Sequence, residues 1–330
     1  MTLRRRISVA ALALGVLCLA CPASSLAQSG GARFVVLIQG ASGEEQYAVR
    51  HRAWLDALAT VFRTKFGYDA AHLVILAEQP KTGEGKATAD VVKETFTRLA
   101  ANLTPNDQLS IVLIGHGTAE GADAKFNLIG PDLGVGDWAA LLKPVTARLV
   151  FVDTTSASFP FLAGLSGPRR VVVTATSTSA QRFHTEFPQG FVAAFSDASA
   201  DLDKNGRVSV LEAFTFASRA VKQHFEQAGT MATETALIDD DGNGKGRLAS
   251  VAGDDGQAAS STYFDVPAAP KSADPETQRL LVRQQELNDQ VDDTRRRKNT
   301  MTEEDYDAAM DRLLTELATV SRAVRQRTGG

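Results

Sequence analysis

Residues 149–158, LVFVDTTSAS, decide the fold of this 330-residue chain. The apolar run that ends in small hydroxyl residues predicts a buried strand with polar side chains at its end. Residues 109–114, LSIVLI, form a second such run and lead into Gly115-His116-Gly117. Parallel strands bring their carboxyl ends to one edge of an open α/β sheet, so we expect His116 and the hydroxyls to share a crevice. A histidine beside a hydroxyl is the simplest pair of base and nucleophile.

Further strands and helices alternate along the chain. Strands are predicted at 34–38, 72–76, 148–152 and 170–174, and helices at 47–66, 88–103, 136–142, 187–195 and 210–225, with a short helical piece at 159–165. This alternation predicts a mostly parallel sheet with helices on both faces, a three-layer α/β/α domain over 33–248. Residues 249–274 are rich in Gly, Ala, Ser and Pro, a composition that predicts a linker.

The first residues have the pattern of a secretory leader. Arg4, Arg5 and Arg6 precede an apolar run from 7 to 21, and Ser25-Leu26-Ala27 offers a small-residue cleavage site. Cleavage near Ala27 predicts a periplasmic or secreted protein without a transmembrane span in its mature chain. A lipid anchor on Cys21 is the alternative.

Composition excludes several kinds of chemistry for the mature chain. Both cysteines, Cys18 and Cys21, lie within the predicted leader, so disulfides, thiolate metal sites and cysteine nucleophiles are excluded. The chain has 35 Lys and Arg, three of them in the leader, against 39 Asp and Glu, so the mature net charge is −7. This acidic balance argues against a nucleic acid partner.

The C-terminal segment predicts a separate α-helical hairpin over 275–328. Asp274-Pro275-Glu276 is a strong helix start, and a second helix begins near Thr302. The apolar positions are Leu280, Leu287 and Val291 in the first helix, and Tyr306, Met310, Leu313, Leu317, Val320 and Val324 at heptad spacing in the second. The hairpin is either an arm for self-association or partner binding, or an element that packs on its own domain.

Several short motifs together resemble the legumain family of asparaginyl endopeptidases, which have the caspase-haemoglobinase fold. The motifs, in chain order, are Tyr47-Ala48-Val49-Arg50-His51, Pro105-Asn106-Asp107 before the strand that ends in His116-Gly117, the sequence DLGVGD at 132–137, and Val150-Phe151. The resemblance covers about residues 33–180. It implies a peptidase-like domain that takes a peptide or protein as its partner.

The resemblance also assigns residues to roles. His116 matches the general base, and Arg50 with His51 matches the substrate-specificity pocket. Ser156 stands at the position of the nucleophilic cysteine, or Thr155 does if the register shifts by one. The other histidines, His51, His72, His184 and His224, are expected at the surface or an interface.

A hydroxyl in place of a thiol predicts lost activity. The thiol of cysteine has a pKa near 8.5, whereas a serine hydroxyl needs a well-oriented base. Asp153, the nearest acid, is expected to point to the opposite face from Ser156. The sequence therefore favours a degenerate peptidase that binds a peptide or protein, and the alternative is an active hydrolase that uses Ser156 with His116.

Residues 201–212, DLDKNGRVSVLE, match the EF-hand calcium loop. The predicted ligands are Asp201, Asp203, Asn205, the main-chain carbonyl of Arg207, Ser209 and Glu212. Calcium would be structural here, and the alternative is an acidic loop that caps the following helix. Residues 239–244, DDDGNG, begin like a second loop with Asp239, Asp241 and Asn243, but Ser250 occupies the twelfth position. This segment is a weaker site, a contributor to the first, or a turn.

Overall fold

The computed structural model describes residues 31–120, 123–178, 180–251, 253, 255–265 and 274–328. The predicted leader at 1–27, with Cys18 and Cys21, lies outside the described residues. Within the described part of the chain, no helix is both long and apolar enough to cross a membrane.

A seven-stranded sheet forms the centre of the α/β domain. Its strand order is β10-β9-β8-β4-β1-β2-β3, and every neighbouring pair is parallel except β10 with β9. The strands of the described chain are β1 (Arg33–Gln39), β2 (Leu73–Ala77), β3 (Gly85–Lys86), β4 (Gln108–Ile114), β5 (Gly117–Glu120), β6 (Asp123–Phe126), β7 (Leu133–Gly134), β8 (Arg148–Asp153), β9 (Arg170–Thr174) and β10 (Leu237–Asp239).

Helices cover both faces of the sheet, so the predicted three-layer α/β/α arrangement is confirmed. The α/β domain contains α1 (Glu45–Thr60), which continues as a π-helix (Val61–Lys65), α2 (Ala89–Asn102), α3 (Val135–Leu142), α4 (Phe159–Leu165), α5 (Phe187–Ala194), α6 (Val210–Ala228) and α7 (Gln257–Ser260). The helices α1, α5 and α6 pack on one face and α2, α3 and α4 on the other. The central strands are apolar on both sides because both of their faces are buried.

The carboxyl ends of β1, β4 and β8 lie side by side. Gln39 pairs with Ile114 of β4, and Leu113 of β4 pairs with Asp153 of β8. The segments that follow these strands, 40–42, 115–117 and 154–158, therefore meet at one edge of the sheet. This is the juxtaposition that the two apolar runs predict.

Two features of the sheet were not predicted. The strands β5, β6 and β7 form a small antiparallel sheet directly after His116, and β10 adds an antiparallel edge strand. These strands are only two to four residues long, and β5 and β6 alternate buried alanine or phenylalanine with exposed charged residues. Short strands of this kind give a weak periodic signal.

The linker predicted over 249–274 needs correction at 255–265, because this part packs on the domain. Phe264 is fully buried against the rings of Phe62, Phe191 and Phe195. We call residues 261–265 the strap. It lies across the amino ends of the central strands, where Tyr263 accepts hydrogen bonds from Arg33 at 2.9 Å and Gln108 at 2.9 Å.

The C-terminal segment forms the predicted antiparallel α-helical hairpin of α8 (Pro275–Arg296) and α9 (Glu303–Thr328). Leu287, Val291 and Leu313 form its buried centre. Polar contacts also join the two helices: Arg283 pairs with Glu316 at 2.6 Å, and Gln284 donates to Ser321 at 2.8 Å.

Candidate functional site

His116 lies between the end of β4 and the start of β5, against two other rings. The ring of Tyr47 lies 4.9 Å from that of His116 and the ring of His51 lies 5.0 Å away, both edge-on. Burial and the nearby His184 lower the pKa of His116, and hydrogen bonding to the main chain of Ser42 opposes this. His116 is therefore held in place mainly by packing, in a position that favours its neutral form.

His51 is buried rather than at the surface, which corrects the expectation from sequence. It is 3% exposed, and its Nδ1 lies 3.0 Å from the hydroxyl of Ser42. The same hydroxyl accepts a hydrogen bond from the side-chain amide of Gln39 at 3.3 Å. Burial, together with His116 and Arg50, lowers the pKa of His51 to about 3. His51 therefore stays neutral at physiological pH.

His184 joins this group from a distant part of the sequence. Its Nδ1 lies 3.4 Å from the hydroxyl of Tyr47, and its Nε2 lies 3.7 Å from Glu186. His184 is exposed, as expected for a surface residue, but the sequence did not predict that it lies near His116. His72 and His224 remain outside the group, where His72 pairs with Asp69 at 2.7 Å.

The two candidate nucleophiles bind main-chain or carboxylate groups. Ser156 Oγ donates to the carbonyl of Gly117 at 3.1 Å and accepts from its amide at 3.3 Å. Thr155 Oγ1 donates to Asp153 at 2.6 Å. Both residues are at most 2% exposed. Within the described chain, no hydrogen bond joins either hydroxyl to a histidine ring.

Asp153 binds Thr155 rather than Ser156. Its Oδ1 accepts the amide and the hydroxyl of Thr155, because β8 ends at Asp153 and the following residues no longer alternate as in a strand. Its Oδ2 is buried without a hydrogen-bond partner. Burial raises the pKa of Asp153 to about 6, and the hydrogen bonds from Thr155 oppose this.

The backbone is unusually crowded between Gly117 and the segment after β8. A Cβ atom on Gly117 would lie 2.2 Å from the carbonyl oxygen of Ser156 and 2.9 Å from Thr155 Oγ1. Ala157, which follows Ser156, has a φ of 54°, in the left-handed region that a non-glycine residue seldom adopts. The hydroxyls of Thr155 and Ser156 are thus fixed by close packing.

The hydroxyl-rich segments that follow β8 and β9 face one another. Ser158 Oγ lies 3.1 Å from Thr176 Oγ1, and Thr176 Oγ1 also accepts the amide of Phe159 at 2.9 Å. These hydroxyls satisfy backbone groups at the strand ends and at the start of α4.

Arg50 belongs to a charged network that the sequence did not reveal. Arg50 donates to both carboxylate oxygens of Glu186, at 2.7 and 2.8 Å, and its guanidinium lies 5.0 Å from the centre of the Trp54 ring. Glu234 accepts the amides of Glu186 and Phe187 at the start of α5, at 2.6 and 3.1 Å. Burial raises the pKa of Glu234 to about 7.

The loop at 201–212 brings three carboxylate groups together. Carboxylate oxygens of Asp201, Asp203 and Glu212 lie within 4.8 Å of one another. Asn205 Oδ1 accepts the amide of Arg207 at 2.8 Å, and Ser209 Oγ donates to Glu212 at 2.8 Å. Asp203 has a raised pKa, chiefly because of burial and in part because of its acidic neighbours. Such a cluster suits a hard cation.

The side chain of Arg207 connects this loop to the strap. Its guanidinium binds Asp265 at 2.8 Å and lies 3.7 Å from the centre of the Tyr263 ring. The Asn205 amide donates to the Tyr263 hydroxyl at 3.1 Å.

The second acidic loop contains a carboxylate that the sequence pattern did not locate. Oxygens of Asp239, Asp241 and Asp255 lie within 4.8 Å of one another. Asp255 accepts the amides of Asp240 and Asp241, just as Glu212 accepts those of Leu202 and Asp203 in the first loop. Asn243 donates to Asp241 at 2.6 Å. An acid is therefore present, although Ser250 occupies the twelfth position.

The fold and the site together define a three-layer α/β protein with histidine and hydroxyl side chains at adjoining strand ends. No protein-family model matches the chain, and no curated protein matches it either. Many solved structures are similar, and two of them are described here. Protein GSU0716 from Geobacter sulfurreducens has a TM-score of 0.42 and 11% identity, over 63% of this chain and 92% of that chain. Caspase-1 from Spodoptera frugiperda has a TM-score of 0.42 and 9% identity, over 66% of this chain and 90% of that chain.

Proposed function

We propose that this chain is a legumain-like peptidase domain that has lost its catalytic activity and binds a peptide or protein in the crevice beside His116. The observation that carries this proposal is the position of the hydroxyl groups. Ser156 Oγ exchanges hydrogen bonds with the main chain of Gly117, and Thr155 Oγ1 is bound to Asp153. Neither hydroxyl is hydrogen-bonded to an imidazole, the general base that hydroxyl nucleophiles most often use.

The residues around His116 support binding better than catalysis. A general base must reach the proton that it removes, at about 2.6–3.2 Å or through one water. His116 instead packs against Tyr47 and His51. The Arg50 and Glu186 pair nearby offers a donor and an acceptor at the same place, which suits recognition of a polar side chain or main chain.

A serine-reactive fluorophosphonate separates this proposal from the rival hydrolase. Purified full-length protein should remain unlabelled and should not cleave a peptide library. Labelling of the native protein that is abolished by Ser156→Ala or by Thr155→Val would establish a hydroxyl nucleophile and overturn the proposal. Ser196→Ala is the matched control, because Ser196 is exposed and lies apart from the crevice.

Binding itself needs a positive test. The inactive protein should retain individual peptides from an immobilised library. Arg50→Gln should weaken that retention, because it removes the charged donor of the Arg50 and Glu186 pair. Arg219→Gln is a suitable control on α6. Equal retention by both variants would mean that the peptides bind outside the crevice.

We also propose that the loop at 201–212 binds a structural calcium ion. Support comes from the match of the loop to the EF-hand pattern and from the three clustered carboxylates, Asp201, Asp203 and Glu212. The loop at 239–244, with Asp239, Asp241 and Asn243, is proposed as a weaker site. Calcium should raise the melting temperature of the native protein and chelator should lower it. Asp201→Ala should abolish most of this difference, whereas Glu226→Gln should preserve it.

For the hairpin we propose self-association or partner binding. Val282 on α8 and Leu314 on α9 are apolar, yet each is more than 40% exposed to solvent. Sedimentation of the full chain tests this: the native protein should form a larger species than the double variant Val282→Ser, Leu314→Ser. A monomeric native protein would contradict self-association.

Export from the cytoplasm is the last part of the proposal. It rests on the leader pattern over 1–27 and on the cysteine-free chain that cleavage would leave. The mature N-terminus, determined by sequencing the protein from the periplasmic and culture fractions, should lie near Gln28. Fatty acid attached to Cys21 would instead establish the lipid anchor.

A further inference from the structure

One segment of the chain binds the main chain on both sides of the two candidate nucleophiles. This segment, residues 180–186, lies between β9 and α5. Thr185 Oγ1 donates to the carbonyl of Thr154 at 2.6 Å, and the carbonyl of Gln181 accepts the amide of Ala157 at 2.9 Å. An extended peptide gains affinity from hydrogen bonds to main-chain groups of this kind. The segment therefore takes up two groups that would otherwise be open to a peptide.

The segment also engages Arg50, the residue proposed above to bind a peptide. Glu186 accepts hydrogen bonds from the Arg50 guanidinium with both carboxylate oxygens, at 2.7 and 2.8 Å. A charge-assisted pair with two contacts is among the stronger polar interactions in proteins, so a ligand has to compete with Glu186 for this guanidinium. One carbonyl, one amide and one guanidinium at the crevice are thus bound by residues of the same short segment.

The contacts that hold this segment are mainly polar. Both of its apolar residues, Ala180 and Phe183, have exposed side chains. The side chain of Gln181 binds the amide of Ser177 at 2.7 Å and the hydroxyl of Thr235 at 3.3 Å. Each such hydrogen bond contributes little net stability, because water replaces it when the segment moves. A segment without a buried apolar side chain opens at a lower free energy than the buried strands of a sheet.

We propose that residues 180–186 are an autoinhibitory cover, which occupies the crevice in this structure and must move aside before a peptide binds. This inference rests on the proposed peptide-binding function and adds its regulation. The apparent affinity for a peptide is lowered in proportion to the fraction of molecules in which the cover is open. Loosening of the cover therefore raises the affinity, whereas damage to the binding site itself lowers it.

Thr185→Val tests the cover, because it removes the hydrogen bond to Thr154 and keeps the size of the side chain. The full-length variant should reach half-saturation on an immobilised library of random octapeptides at about a tenfold lower protein concentration than the native protein. Exchange of the Ala157 amide, which binds the cover, should become about tenfold faster by NMR. Thr178→Val is the matched control, since Thr178 is exposed and lies just before the cover.

A second variant loosens the cover without altering the crevice. Gln181→Ala removes the contacts with Ser177 and Thr235 and leaves the groups that would bind a peptide unchanged. It should raise retention and amide exchange in the same direction as Thr185→Val, and it decides the question if Thr185→Val does not fold. Unchanged amide exchange in β4 and β8 should verify that each variant keeps its fold.

The outcomes separate the two proposals. Faster exchange of the Ala157 amide with unchanged or weaker retention would overturn the cover and leave peptide binding standing. Unchanged exchange in both variants would also overturn the cover, because other contacts would then hold the segment. Retention by the two variants that exceeds that of the native protein supports both proposals. No retention of the native protein or of either variant, despite faster exchange, would overturn both.

Discussion

The hydroxyl of Ser156 makes two hydrogen bonds with the main chain of Gly117: it donates to the carbonyl at 3.1 Å and accepts from the amide at 3.3 Å. This contact joins the segment after β8 to the start of β5. The Ser156 hydroxyl therefore has a structural role in the crevice.

Removal of this hydroxyl should cost stability rather than activity. Ser156→Ala removes the hydroxyl that binds the carbonyl and the amide of Gly117 in a partly buried place, and we expect the free energy of unfolding to fall by about 1–3 kcal/mol. Chemical denaturation checks this. Ser196→Ala, at an exposed position, should change stability by no more than about 0.5 kcal/mol. An equal, negligible loss in both variants would contradict the structural role of Ser156.

The approach of Gly117 to the segment after β8 gives a second prediction. Gly117→Ala places a methyl group about where the Ser156 carbonyl oxygen lies, so the two segments must separate. We expect a loss of about 1–3 kcal/mol or more, measured by denaturation. Gly136→Ala is the matched control on α3, where nothing lies within 4 Å of the added Cβ. That change should stabilise the protein by about 0.5–1 kcal/mol, because alanine is the better helix former.

Glu234 should make stability depend on pH. Its pKa is raised by burial to about 7 from the ordinary 4.5, so the folded state favours the protonated carboxyl. The stability that this group contributes is complete below pH 4.5 and is lost as the pH rises through 7. The total is on the order of 3 kcal/mol.

Comparison with Glu234→Gln isolates this contribution from other titrating groups. The stability of the native protein minus that of the variant should decrease between about pH 4.5 and 7. His51 has the opposite effect in both proteins and cancels in the difference, because its lowered pKa removes stability as the pH falls below 6.5. A difference that does not vary with pH would show that Glu234 ionises normally in the folded protein.

Glu212 should support its loop even without metal. One oxygen accepts the amides of Leu202 and Asp203, and the other accepts the amide and hydroxyl of Ser209. Glu212→Gln replaces one of these acceptors by a donor, so we expect a loss of about 1–3 kcal/mol in chelator. The further loss of calcium-dependent stabilisation would be visible only with calcium present. Full stability of the variant in chelator would contradict this account.

The hairpin should respond to changes in its own core. Leu287 is fully buried between α8 and α9, and Leu287→Ala should destabilise the hairpin by about 2–5 kcal/mol. Hydrogen exchange should therefore speed up over 275–328 while β1, β4 and β8 keep their protection. Thr315→Ala, which alters an exposed side chain of α9, should leave exchange unchanged. Faster exchange in the central strands would mean that the two parts unfold together.

The central strands, and the meeting of the ends of β4 and β8, could be predicted from local sequence. A fully buried parallel strand needs an unbroken apolar run, and residues 109–114 and 149–152 provide this signal clearly. The heptad spacing in α9 can likewise be read from one segment, because the apolar side chains that face α8 recur at a fixed interval along it. Such features depend on neighbours in the chain and are therefore visible in it.

The contacts of His116 could not be predicted in the same way. His184 lies 68 positions away and reaches the site only because the loop after β9 returns over α1. Glu186 and Glu234 carry no motif, and their burial depends on how α5 packs. Ser42 was overlooked because a serine in a glycine-rich turn usually binds nearby backbone groups rather than a histidine.

Asp255 shows the limit of a fixed spacing. The EF-hand pattern requires an acid at the twelfth position, whereas the second loop obtains its acid from residue 255, seventeenth from Asp239. Asp255 nevertheless accepts the amides of Asp240 and Asp241, which correspond to the two amides that Glu212 accepts in the first loop. Only three-dimensional contact reveals this equivalence.

The hydrogen bonds from Arg33 to the carbonyls of Tyr263 and Asp265 bring the entry and exit of the α/β domain to one corner of the molecule. The crevice lies at the other end of β1, roughly 20 Å away along the strand. A host protein could therefore accept this domain as an insertion within a surface loop, with both junctions adjacent and the crevice facing away from the host.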